Sequence, residues 1–404
     1  MFRSYLSEIF TSKYTHIKSA TLALLICTSI SFNVYAVNPY TVHTVYFIPK
    51  DSQDQSELLD LDDMMKSIQM TYQLEMDRHG FGNKTFELET DKDGKVVVHK
   101  VRGNHNKVIY ANNSVSIIKE LEAKPAYNDP HTIYAVVAAG IEIFEGGGAG
   151  VAVAKPWAGW FGNGNPTYSG YAVSTERPQR IHVESIIRHE IGHTFGLSHI
   201  LYHRGTHYNS GDYIMHNAID GKGDELTEHE ARWLSKVRHF NGNQPFRNNF
   251  APKLTKFDGA VRVDDNITLK ATIRDPDNDG IFQVYGKVDW WVIGWDTFDG
   301  NSGVEESFLT DIPDDLLKSG KITYYFMDIH GNWMYDFPDK SFTVPKKIKK
   351  PPVTFNKNED LGIPQNPTEE CPGCKVDSID VDDTPRSITS EFKLTTSWAT
   401  IKSR

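Results

Sequence analysis

The hydrophobic positions of this chain change period several times, and each change marks an element. Residues 41–48, Thr-Val-His-Thr-Val-Tyr-Phe-Ile, are mostly β-branched or aromatic, which predicts a buried strand ended by Pro49. Over Leu58–His79 apolar residues recur three and four apart, at Leu61, Met64, Met65, Ile68, Tyr72 and Met76. That spacing predicts a helix, and Gly80 and Gly82 stop it. Thr85–Thr90 and Lys95–Val101 alternate on either side of Asp91, Asp93 and Gly94 and read as a hairpin, with the aspartates as turn formers. A short helix follows at Val115–Ala123 and a buried strand at Ile133–Ala139. Glycines then crowd 146–150 ahead of the small apolar run Val151–Ala154. This fits either a loop feeding an exposed edge strand or an ordinary surface loop. Trp157 and Trp160 follow and either wall a cleft or pack.

A longer helix is expected from near Pro178, with Ile187, Ile191 and Phe195 as its core-facing stripe. Leu226–Phe240 reads as one more helix, opened by a capping box of Thr227 and Glu230. After the polar stretch 241–249 the period changes to that of strands, among them Ile267–Ile273, Phe282–Val288 and Lys321–Met327. Their length and spacing over 250–345 predict an all-β Ig-like sandwich. Lysines and prolines from Lys346 open a largely disordered tail, 346–404.

The chemistry concentrates in His189-Glu-Ile-Gly-His193-Thr-Phe-Gly196-Leu-Ser-His199, that is HExxHxxGxxH. On a helix, residues four apart lie one turn apart on nearly the same face, so His189 and His193 can aim two imidazoles at one metal ion. Glu190 is rotated about 100° from His189 and sits beside such an ion, where a base can take a proton from metal-bound water. Gly196 lets the chain leave the helix and turn back, making His199 available as a third ligand. Three neutral nitrogens with one open position describe a catalytic zinc site. His182 is about 10 Å along the axis from His189 and too far to share the ion, while His203, His207 and His216 are spare histidines nearby.

At these residues the chain resembles the metzincin clan of zinc metallopeptidases. The downstream Asp212–Asn217 segment is similar to the clan's Met-turn, with Met215 sixteen residues after His199. The resemblance implies an α+β catalytic domain with a mixed twisted sheet and a long zinc helix. It implies that His189, His193 and His199 bind Zn²⁺, that Glu190 is the catalytic base, and that Met215 forms an apolar floor beneath the metal. It also implies a strand along the cleft that binds extended peptide by β-addition. Some clan members carry a tyrosine two residues after the methionine, where this chain has Asn217, so a tyrosine ligand at that place is not expected. The resemblance spans roughly 40–243, with its motifs confined to 189–215.

Length and composition bound the rest. A chain of 404 residues is long enough for two or three domains, and 39% hydrophobic with 12% aromatic residues can fill real cores. A net charge of −10 without a basic block in the first 340 residues argues against nucleic acid as a partner. Residues 1–36 read as a secretory signal: Arg3, Lys13 and Lys18 precede the apolar run Ala20–Ile30, and Val34-Tyr-Ala36 offers a cleavage point. The run is too short to span a bilayer comfortably, so cleavage after Ala36 and a secreted or periplasmic protein are expected. Loss of Arg3, Lys13, Lys18 and Glu8 leaves a charge of about −12. Cys371 and Cys374 then remain, and in an exported protein they are expected to close a disulfide. With so few residues between Ala36 and the strand at 41–48, the chain from residue 37 is expected to be active without removal of a pro-segment.

The expected activity is that of an exported zinc endopeptidase acting on proteins or peptides. One rival replaces His199 by Glu225, Glu228 or Glu230 as third ligand. A second makes the protein a surface-binding, adhesin-like molecule whose sandwich contacts a cell surface or glycans and whose zinc fold is a scaffold. The intact Glu190 speaks against the latter. Asp275-Pro-Asp277-Asn-Asp279-Gly280 resembles the start of a calcium loop, but Gly286 stands where an EF-hand needs Glu. A turn or an interdomain Ca²⁺ site are the two readings. With all this chemistry before residue 243, a fragment ending near 245 is expected to fold and cleave small peptides.

Overall fold

The computed structural model describes residues 40–345 except 145–149, 156–167, 178, 201, 204–205, 208–211, 217–222, 243–249, 264–265, 289–290, 302, 314–319 and 337–339. The signal, Trp157, Trp160, Pro178, Asn217, the cysteine pair and the tail lie outside the described residues, as do the side chains of His203 and His207.

The strands of the first half are β1 (Thr41–Ile48), β2 (Glu87–Leu88), β3 (Val98–Arg102), β4 (Thr132–Ala138), β5 (Gly150–Lys155) and β6 (Ser169–Thr175). They form one sheet in the order β2-β1-β4-β6-β5, with β3 also paired to β1. All pairings are parallel except β5 on β6, so the glycine-fed run does become an antiparallel edge strand. The helices are α1 (Leu61–Arg78), α2 (Lys107–Asn112), α3 (Val115–Glu122), α4 (Arg180–Thr194) and α5 (Glu228–Leu234). Side chains alternate across a strand. On one face Val42, Tyr46 and Ile48 of β1 pack with Met64, Ile68 and Tyr72 of α1 and Ile187 and Ile191 of α4. On the other, Val45 and Phe47 pack with Tyr110 of α2 and Ile117, Ile118 and Leu121 of α3.

The expected hairpin at 85–101 is a different object. Both of its arms run parallel to β1, along one edge: Thr41–Val42 meet Glu87–Leu88, and Thr44–Ile48 meet Val98–Arg102. The arms meet each other in a single antiparallel bridge, Thr90 to Val96, around the Asp91–Gly94 turn. The segment is one edge strand interrupted by an excursion. Pairing with the buried β1 outweighs hairpin closure because it covers apolar side chains on both sheet faces.

The second half contributes β10 (Lys253–Val263), β11 (Asn266–Arg274), β12 (Ile281–Val288), β13 (Trp291–Asn301), β14 (Val304–Pro313), β15 (Lys321–Asp328), β16 (Trp333–Tyr335) and β17 (Lys340–Ser341). Between the halves lie the short strands β7 (His199–Ile200), β8 (Tyr202–His203) and β9 (Thr206–His207). β10-β11-β14 form one antiparallel sheet, and β16-β15-β12-β13 form another to which β7 adds in parallel. The two sheets enclose a shared core of Ile267, Leu269, Ile273, Val284, Leu309, Tyr324 and Phe326. β11 alternates buried and accessible positions, whereas β12 is buried on nearly every residue. Val284 of β12 faces the sandwich core, but its neighbour Tyr285 faces the core of the first half.

The main core therefore does not stop at residue 243. Trp233 on α5 packs edge-on against Tyr285, Trp295 and Trp333, and all four belong to the same buried cluster as Ile187 and Phe195. The last expected helix is also shorter than its pattern: α5 ends at Leu234 and a 3₁₀ turn covers Arg238–Phe240. The second half approaches the chain closely just past this break. A Cβ on Gly331 would lie 1.9 Å from the carbonyl oxygen of Lys236, so the loop presses directly on the chain just past α5.

Candidate active site

α4 carries the first two histidines, and its C-terminus is built to release the third. The helix ends in a Schellman motif: Gly196 N–H donates to His193 O and Leu197 N–H to Gly192 O, with Gly196 at φ +89°. Two further carbonyls at this exit are satisfied from distant sequence. Trp233 Nε1 donates to Phe195 O at 3.0 Å, and the Tyr285 hydroxyl donates to Gly196 O at 2.5 Å. The chain then enters β7, where His199 lies opposite Trp291 of the C-terminal sheet.

The result is convergence. His199 Nε2 lies 3.0 Å from His189 Nε2 and 3.1 Å from His193 Nε2. The Nδ1 atoms of the first two rings donate outward, His189 to Ile214 O at 2.6 Å and His193 to Leu197 O at 2.9 Å. Those bonds place the protons on Nδ1 and leave the Nε2 lone pairs facing one another. Burial pushes His189 down to about 4 and His193 to about 3, and holds His199 well below the usual imidazole range. Neutral imidazoles with their lone pairs on one point are what a metal ion requires. The donor set fits Zn²⁺, and none of the three rival glutamates joins it. Glu230 closes the capping box with Thr227, and Glu225 pairs with Arg78. Among the described residues the group that gathers around this point is His189, His193 and His199.

Glu190 is buried against the edge strand. A Cβ on Gly150 would lie within 2.4 Å of Glu190 Oε1, so a residue larger than glycine there would displace the carboxylate. Burial raises its pKa to about 8; the charge of a metal on the triad acts in the opposite sense. Met215 is fully buried beneath the helix, and a Cβ on Gly192 would lie 2.4 Å from its sulfur. The Ile214–Met215 segment is fixed to the site by Ile214, whose carbonyl holds His189, and by Met215 O, which accepts from Ile200 N–H at 3.2 Å.

A cleft of about 460 Å³ opens over the triad. One wall is β5 from Gly150 to Ala154; the opposite wall is Lys287, Tyr325, Trp333 and Tyr335 from the C-terminal sheet. Sequence periodicity gives no hint of that second wall, because its residues lie about a hundred positions after the motif. Gly150 and Gly192 were legible only as small residues. Of the spare histidines, His216 is half-buried and its ring lies 5.7 Å from that of Trp291, outside the group of three. Asp275, Asp277 and Asp279 do come together, but as a turn: Asp275 accepts from Gly280 N–H and Asp277 from Phe250 N–H. No helix among the described residues is long and apolar enough to cross a membrane.

No family model matches the chain, and no curated protein matches it by sequence. Among solved structures it is similar to wild-type OgpA from Akkermansia muciniphila, at 16% identity and a TM-score of 0.47, covering 74% of this chain and 92% of that one. A catalytically inactive OgpA in complex with an O-glycopeptide substrate gives 16% identity and a TM-score of 0.49, over the same 74% and 92%. The archaemetzincin of Methanopyrus kandleri gives 14% identity and a TM-score of 0.25, over 47% of this chain and 91% of that one. Overlaps this loose carry no functional inference, and the chemistry of the site stands on its own residues.

Proposed function

We propose that this protein is a zinc-dependent endopeptidase. The observation that carries the proposal is His199 Nε2 lying 3.0 Å from His189 Nε2 and 3.1 Å from His193 Nε2, with a buried carboxylate on the adjoining helix position and an open cleft above them. His189, His193 and His199 would hold the ion; bound there, zinc brings the pKa of a water toward neutrality and polarises a scissile carbonyl. The remaining work falls to the chain itself. Glu190 takes the water's proton and returns it to the departing amine. β5 ends the sheet among the described residues, and on its outer edge an extended peptide would pair as a further strand, so that main-chain bonds position the scissile link. The aromatic wall of Tyr325, Trp333 and Tyr335 closes the far side.

We further propose that Met215 serves as the apolar floor of this site, that residues 250–345 form an Ig-like sandwich, and that the protein is exported through residues 1–36. The close packing of Met215 under Gly192 supports the first, and the two antiparallel sheets around one core support the second. The decisive experiment is peptide cleavage by the zinc-loaded protein and by Glu190→Gln. Loss of cleavage with retention of zinc supports the reading; undiminished cleavage overturns it.

A further inference from the structure

A second set of metal-ligating side chains lies on the opposite face of the first sheet. His43 on β1 follows the odd register of Val45 and Phe47, away from α4. His99 on β3 faces the same way as Val101, and Val45 pairs with it in register. Glu89 opens the excursion between β2 and β3, its N–H bonded to Val42 O and its carbonyl to Val97 N–H. Three segments distant in sequence thus bring two imidazoles and one carboxylate to a single point.

The geometry at that point is close to that of the catalytic triad. One ligand atom from each of His43, Glu89 and His99 lies within 4.8 Å of the others. Glu89 Oε2 is 3.1 Å from His43 Nδ1 and 2.5 Å from His99 Nε2. A tetrahedral zinc with bonds of about 2.0–2.1 Å separates its ligand atoms by roughly 3.3 Å. The first contact already matches, and the second opens to that distance by a small movement of the Glu89 side chain, which is 30% exposed. The two ring planes are 7° apart with their centroids 5.6 Å apart, and Tyr134 and Tyr127 pack edge-on against His43 and His99. The far nitrogen of His43, Nε2, is 3.0 Å from the Thr41 hydroxyl, the outer-shell partner that fixes which nitrogen faces a metal.

We propose that His43, Glu89 and His99 form a second divalent transition-metal site, independent of the HExxH triad, that binds zinc and staples the 89–97 excursion to β1 and β3. Two imidazoles with one carboxylate suit zinc and its first-row neighbours rather than calcium or magnesium. With each side chain 24–30% exposed, the site is open to entry from solvent and has room for water to complete its coordination.

The test counts metal. The full chain is stripped with chelator, equilibrated with buffered zinc, and assayed for bound zinc, with binding isotherms for each variant. Wild type should hold one zinc more than Glu89→Gln or His99→Gln, and both variants should still cleave peptide. Thr41→Val keeps all three ligands and should weaken the second zinc by roughly tenfold or more. His199→Ala tests the catalytic triad separately, and its loss of a zinc should add to that of Glu89→Gln. Equal zinc content in wild type, Glu89→Gln and His99→Gln would overturn the proposal whatever His199→Ala does. If either ligand variant misfolds, an unchanged isotherm for Thr41→Val overturns it instead.

Discussion

The hydroxyl of Tyr285 donates to the carbonyl of Gly196, joining the C-terminal sheet to the turn between the second and third histidines. Gly196 cannot be replaced cheaply. Its φ is +89°, and a Cβ there would meet the Trp333 ring at 3.0 Å. The turn that delivers His199 is thus held by the helix before it and by the second half of the chain above it.

Tyr285→Phe should keep the fold and lose about 1–3 kcal/mol of stability, the cost of leaving a buried carbonyl unpaired. Zinc affinity should fall with it, because the His199 segment loses one of its anchors. Chemical denaturation and a zinc-binding isotherm check this; a variant indistinguishable from wild type in both would show the bond to be incidental.

Truncation near residue 245 should fail, contrary to what the position of the motif implies. It would strip Trp233 of Tyr285, Trp295 and Trp333, and remove the strand that pairs with His199. The fragment should be insoluble or lack a cooperative melt. A soluble, cooperatively melting fragment that cleaves peptides would show that the C-terminal sheet is dispensable.

Gly150→Ala should reduce cleavage while leaving metal content unchanged. The added methyl would enter the space of the Glu190 carboxylate, which is not among the three gathered ligands. General-base catalysis contributes typically 10²–10⁴-fold, so a loss of about tenfold or more in kcat is expected. An effect on KM alone would place the role of Gly150 in substrate pairing.

In metal-free protein, Glu190→Gln should melt higher than wild type at neutral and alkaline pH. Burial raises the Glu190 pKa from its ordinary 4.5 to about 8. The folded state therefore holds a proton that the unfolded state releases above about pH 4.5. Wild type loses stability as pH rises from about 4.5 through about 8, and the glutamine variant is spared that loss. The difference in melting temperature should be near zero at pH 4 and widen toward pH 8. A gap that is constant or narrows with rising pH contradicts the burial of this carboxylate.

His199→Ala should lose the catalytic zinc and its activity together. Metal analysis alongside a peptide assay reads both, and retention of that zinc would return Glu225 or Glu228 to consideration as ligand.

What the sequence determines by itself is local. HExxHxxGxxH places two imidazoles on one helical face and a glycine at the exit, because a 3.6-residue period and a left-handed C′ position depend only on near neighbours. The same holds for β1, α1, the buried stripe of α4 and the Thr227–Glu230 capping box. Tertiary structure decides what depends on distant segments. The arms at 85–101 take β1 as partner rather than each other, since a buried strand offers more apolar contact than a hairpin. Tyr285 faces away from its own sandwich because β12 is covered on both sides, and a fully buried strand has no polar face to reveal its partners. The second wall of the cleft, the cradle of Gly150 around Glu190, and the meeting of His43, Glu89 and His99 all join residues tens to hundreds of positions apart. No period along the chain encodes those distances; packing sets them.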